Sequence, residues 1–123
     1  MKQNKFSINK MLKSFVYAFN GLWLLLKEEQ NARIHFVASV IVILAGFYFG
    51  LNAYEWMAIL FSIGLVITVE IINTAIENIA DFISPGKNEH IKTIKDISAA
   101  AVLISAIVAV SIGLIVFLPK LLF

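Results

Sequence analysis

The sequence predicts an all-α membrane protein, with an N-terminal amphipathic surface helix followed by three transmembrane helices. The first observation behind this is composition: of 123 residues, 60% are hydrophobic and 15% charged, and mean hydropathy is +0.89. A soluble domain runs near about 45 to 50% apolar. The second is a set of uncharged runs long enough to cross a bilayer, and the third is an opening stretch with helical periodicity. Together they predict one domain over 1–123, with the surface helix at about 8–27 and spans at about 35–52, 55–83 and 97–118.

The surface helix follows from Ile8, Met11, Leu12, Phe15, Val16, Phe19, Leu22, Trp23 and Leu26, which recur at the spacing of one helical face. Lys10, Lys13, Ser14, Tyr17 and Asn20 fall on the other side. A basic amphipathic helix with Phe and Trp on its apolar face suits either the headgroup layer or another subunit, and the headgroup layer is favoured. Lys27-Glu28-Glu29-Gln30-Asn31-Ala32-Arg33 then forms a polar knot before span one.

Residues 36–54 carry no charge over 19 positions, and at about 1.5 Å per residue that length approaches the roughly 30 Å hydrocarbon thickness. Gly46, Tyr48, Gly50 and the run Asn52-Ala53-Tyr54-Glu55-Trp56 predict a turn with interfacial aromatics. Span two starts near Trp56 and is closed by Pro85-Gly86. The polar stretch 84–96 reads as a loop, and 99–118 supplies 20 uncharged residues before Pro119 and Lys120. Small residues such as Ala99, Ala100, Ser105 and Ala109 on this third span permit close helix approach.

Nine of the ten basic residues flank one side of these spans and only Lys120 the other. By the positive-inside rule the N-terminus and the 84–96 loop are expected in the cytoplasm. Residues 1–10 hold lysines but lead into no compact apolar core with an Ala-x-Ala exit, so no cleaved signal peptide is expected. The net charge of +2 comes from residues spread along the flanks, which argues against nucleic acid as a partner. The absence of cysteine excludes disulfides and thiolate zinc, and His35 and His90 are isolated. A metal here would be held by oxygen, which points to magnesium.

Span two carries the chemistry. Glu70, Asn73, Thr74, Glu77 and Asp81 share one face of a helix within an arc of roughly 100°. Acids at bilayer depth cost at least about 2.5 to 3.5 kcal/mol each and normally face a bundle interior, a metal or a proton path. Helix-gluing polarity is the bland alternative, and a functional site is favoured. Counting from Trp56 puts Glu70 roughly 21 Å deep and Glu77 roughly 31 Å, near the opposite face. Glu29 and Glu77 are candidates for a two-carboxylate magnesium site with Lys95 beside them. The deeper Glu70 suits a general base that meets a lipid hydroxyl. Phosphoryl transfer needs mostly positioning and charge neutralisation. No Gly-x-x-x-x-Gly-Lys-Ser/Thr loop and no protein-kinase signature occurs, so no familiar nucleotide fold is expected.

Glu70-Ile71-Ile72-Asn73-Thr74-Ala75-Ile76-Glu77 with Asp81, followed by Lys95-Asp96-Ile97-Ser98-Ala99-Ala100-Ala101-Val102-Leu103, closely resembles the signature of the small prokaryotic integral-membrane diacylglycerol and undecaprenol kinases. The resemblance extends more weakly to Lys10, Tyr17, Gly21-Leu22 and Glu29. It implies a homotrimer with sites between subunits in the bacterial cytoplasmic membrane, using ATP and magnesium on a lipid alcohol. By position it implies Glu70 as catalytic base and Glu29 and Glu77 as metal ligands. Lys95 and Asp96 become nucleotide contacts, Asn73 and Asp81 supporting residues, and Lys10, Tyr17, Gly86, Lys87 and Asn88 secondary ATP contacts. Gln30-Asn31-Ala32-Arg33-Ile34-His35 departs from the Ala-Ala-Phe-Arg-Gln-Glu run of the diacylglycerol branch and looks more like the Gram-positive branch. Undecaprenol is therefore the expected substrate and diacylglycerol the alternative. A small proton-coupled transporter, which would also use an intramembrane acid, is the rival from another class.

Overall fold

The computed structural model describes residues 6–123 as four α-helices: α1 Ile8–Glu28, α2 Gln30–Phe49, α3 Ala53–Ile83 and α4 Glu89–Leu122. Lys2 and Lys5, two of the expected flanking charges, lie outside the described residues. Helices α2, α3 and α4 are each long and apolar enough to cross a membrane. α4 packs along α3, α2 packs on α3 over a shorter stretch, and α1 rests against both α2 and α3.

α1 begins where the Ser7 side chain accepts from the Lys10 backbone N–H at 3.3 Å. Its apolar face, including Ile8, Phe15, Phe19 and Trp23, is exposed, and Leu25 alone on the helix is buried. That face therefore awaits lipid or another subunit. The polar knot predicted between α1 and α2 is reduced to Glu29, whose extended backbone ends one helix and starts the next. Arg33 explains the compactness: its guanidinium donates to the carbonyls of Leu26 at 3.0 Å and Lys27 at 2.9 Å. A cation is thus set on the carbonyl end of α1, where the helix dipole favours it. The helix that carries span one accordingly starts at Gln30, ahead of residue 35.

The far end of the bundle is held by apolar packing. Leu51, Ile59 and Val116 are buried together, with Val42, Trp56, Ile63, Ile112 and Phe117 against them. Gly46 is needed for this fit, because a Cβ there would stand 2.6 Å from the Trp56 ring. Gly50 ends α2 with a left-handed φ of 65°, a conformation that glycine takes without steric cost. Asn52 and Glu55 then form a reciprocal capping box at the start of α3. Glu55 also pairs with Lys120 at 3.2 Å, joining the start of α3 to the end of α4.

Two boundaries differ from the sequence expectation. The 84–96 stretch is a loop only over 84–88, since α4 starts at Glu89 and carries Lys92, Lys95 and Asp96 on its first turns. Asn88 is the reason: its side chain accepts from the backbone N–H groups of His90 at 2.9 Å and Ile91 at 3.3 Å. Such a cap satisfies donors that a helix start otherwise leaves open. α4 also runs past the expected end at residue 118, because Pro119 sits in its last turns, where its missing N–H disrupts little of the ladder.

Candidate active site

On α3 the polar face is graded in burial. Glu70, Asn73 and Thr74 are buried, Glu77 is half-buried and Asp81 is exposed. Glu70 is only 3% exposed, and its Oε2 makes no hydrogen bond, nor does Thr74 Oγ1 one turn on. Buried polar atoms are almost always partnered, and an orphaned carboxylate oxygen points to work that the resting chain does not complete. Across from it on α2 is His35, with Nε2 3.9 Å from Oε2. The charges of Glu29 and Glu77 also bear on it.

Glu70 opens into a cavity of about 210 Å³ whose other walls include Leu22, Leu25, Leu26, Phe36 and Ile67. One acid and one imidazole, that of His35, in an otherwise oily chamber between α1, α2 and α3 can meet an apolar molecule that carries a single polar group.

One turn nearer the polar end, Asn73 is fixed from both sides. Ser98 Oγ on α4 donates to its Oδ1 at 2.6 Å, and its Nδ2 donates to Glu77 Oε1 at 3.0 Å. The bridge orients Glu77 through one oxygen and leaves the other without this tie. Ser98→Ala is expected to destabilise the protein by about 1 to 3 kcal/mol, because Asn73 Oδ1 would stay buried without its donor. An unchanged thermal midpoint in detergent would show that the bridge contributes nothing.

Beyond Glu77, Asp81 pairs with Lys95 across α3 and α4, and Lys92 pairs with Asp96 at 2.6 Å. The observed partner of Lys95 is thus Asp81, one turn along α3 from Glu77. A second cavity of about 670 Å³ opens here, lined by Asp81, Gly86, Lys87, Asn88, Lys92 and Lys95 among others. Five of the expected site residues therefore share one basic recess, with Asp96 on its rim through Lys92. Lys10 and Tyr17 are exposed on α1 and do not line this recess.

Three residues outside the expected set enter the site, His35, Lys92 and Ser98. Ser98 lay in the recognised Lys95–Leu103 run without a role. Nothing in the local spacing of His35 marks it, because its partner is on another helix.

The geometry defines a class: a helical membrane enzyme with a buried acid facing an apolar chamber and a basic polar recess at one end of the same helix. Residues 16–117 match the family described as prokaryotic diacylglycerol kinase. The chain is 38% identical over 120 residues to the undecaprenol kinase of Bacillus subtilis, covering 98% of each. It is 32% identical over 110 residues to the diacylglycerol kinase of Escherichia coli K12, covering 89% of this chain and 90% of that one. With the diacylglycerol kinase of Synechocystis it shares 36% identity over 113 residues, 91% of this chain and 65% of the relative. The protein belongs to the prokaryotic diacylglycerol kinase family, and it is a lipid kinase.

Proposed function

We propose that the protein transfers the γ-phosphoryl group of ATP to the hydroxyl of undecaprenol, forming undecaprenyl phosphate and ADP. The observation that carries the lipid-alcohol reading is Glu70, an unpartnered buried carboxylate on the wall of an apolar cavity. The lipid chain lies against the oily walls and its hydroxyl meets Glu70. As the hydroxyl oxygen bonds to the γ-phosphorus, Glu70 takes its proton, the bond from the γ-phosphorus to the bridging oxygen breaks, and ADP leaves. The basic recess over 81–95 supports the nucleotide reading, with Lys87, Lys92 and Lys95 as compact charges for phosphates and Gly86, Asn88 and Asp96 around them. Lys10 and Tyr17 are the outlying nucleotide contacts.

Glu29 and Glu77 would hold magnesium. Their fit rests on two carboxylates, one of them oriented by Asn73 through a single oxygen. Magnesium takes one or two protein carboxylates and completes its shell with water and phosphate oxygens. When bound, the ion neutralises phosphate charge. Asn73 and Asp81 support the site, the one by holding Glu77 and the other by holding Lys95.

Undecaprenol is favoured by the Bacillus relative, which matches along nearly its full length, and by the Gln30-Asn31-Ala32-Arg33-Ile34-His35 run. The Escherichia and Synechocystis relatives keep diacylglycerol as the second reading. Family membership weighs against a proton-coupled transporter. The working form is a homotrimer in the bacterial cytoplasmic membrane, with the N-terminus and the 84–88 loop in the cytoplasm. The uncovered apolar face of α1 and the packing of α4 chiefly on α3 support completion by neighbouring subunits. Full activity from a species of single-chain mass in detergent would contradict that assembly.

The deciding assay offers purified protein magnesium, γ-labelled ATP and equal mole fractions of undecaprenol and diacylglycerol in mixed micelles. Label is expected chiefly in undecaprenyl phosphate. Label chiefly in phosphatidic acid would replace the substrate, and no labelled lipid would overturn the reaction.

A further inference from the structure

We propose that His35 is the positioning residue of Glu70, supplying through Nε2 the partner that the Glu70 Oε2 atom otherwise lacks. The inference rests on the reading of Glu70 as the base. His35 projects from α2 toward α3, with Nε2 3.9 Å from Oε2, and the Glu70 side chain is 4% exposed against 26% for His35. That separation is too long for a hydrogen bond, yet within about 1 Å of one. A small swing of the imidazole closes it, whereas no other hydrogen-bond partner reaches Oε2 among the described residues.

The surroundings give the pair its meaning. The other titratable groups whose charge bears on Glu70 are Glu29, at the break between α1 and α2, and Glu77, further along α3, and both are acids. From α4 the facing polar group is Ser98, which is engaged with Asn73. Among the described residues, His35 is therefore the one basic group set against Glu70. It also stands between two chambers, because it lines both the cavity that holds Glu70 and a neighbouring cavity of about 270 Å³ between α2, α3 and α4. From that wall the imidazole limits the orientations open to the Glu70 carboxylate, and misplacement of a reacting group by about 1 Å can cost 10²-fold in rate.

A spacer role, in which the ring only separates the two cavities, makes a different prediction. Full-length His35→Ala, His35→Leu and His35→Gln proteins are compared in mixed micelles for kcat and for the KM of ATP and lipid. Positioning predicts that Ala and Leu lower kcat by about 10 to 10²-fold with the KM of ATP nearly unchanged, and that Gln, a neutral donor of similar reach, recovers most of the loss. Leu matching or exceeding Gln, or Ala retaining full kcat, would overturn it. A second measurement needs no His35 variant: the imidazole ¹⁵N shifts of His35, compared between wild type and Glu70→Gln, should move while those of His90 stay. An unmoved His35 signal overturns the pairing, whereas full turnover in Glu70→Gln would instead overturn the role of Glu70 as base.

Discussion

Glu70→Gln is expected to depress kcat by about 10² to 10⁴ while magnesium-dependent nucleotide binding stays near normal. The amide keeps the shape of the side chain and its place in the apolar cavity but cannot accept the hydroxyl proton. Glu70 is a full two turns deeper along α3 than Glu77, roughly 10 Å away, and the basic recess lies beyond Glu77 again. Loss of the base should therefore leave the phosphates where they are. Single-turnover phosphorylation and equilibrium nucleotide binding, measured on the same preparation, separate the two effects. Abolished ATP binding in Glu70→Gln would put the phosphates deeper than proposed.

Glu77→Gln is expected to lose turnover and nucleotide binding together, since Glu77 stands between the buried acid and the recess. Asn73 already bonds Glu77 Oε1, so the amide can remain in place while its charge is lost. The binding defect should then reflect missing negative charge and not a collapsed helix. Glu29→Gln should weaken magnesium-dependent binding in the same direction. Magnesium titrations of ATP binding check both, and an unchanged magnesium dependence in the two variants would remove them from the metal site. Equal retention of activity in Glu70→Gln and Glu77→Gln would return the whole face to structural polar packing.

Composition and periodicity made the four helices legible, because a chain this apolar buries its backbone polar groups only by forming helices across the bilayer. The acid face of α3 was equally legible, since a helix of fixed pitch turns spacing directly into direction. Helix ends were less so. The polarity of 89–96 suggested a loop, but Asn88 caps a helix there, and its polar residues either face outward or, like Lys95, pair with α3. The knot around Glu29 shrank to one residue because Arg33 folds back onto carbonyls of the preceding helix, a contact that no periodicity reveals.

The sequence by itself determined the element types, the uncharged spans and which α3 residues share a face, all of which depend on neighbours within a turn or two. Only the tertiary structure decided which of them is buried without a partner, that Ser98 holds Asn73, that Lys95 turns to Asp81 and that His35 stands over Glu70. These are contacts between different helices, set by how α2, α3 and α4 rotate and slide against one another. Packing at the far end, through Leu51, Ile59, Val116 and the seat of Trp56 on Gly46, is one such contact, where side-chain shape and not local spacing chooses the fit.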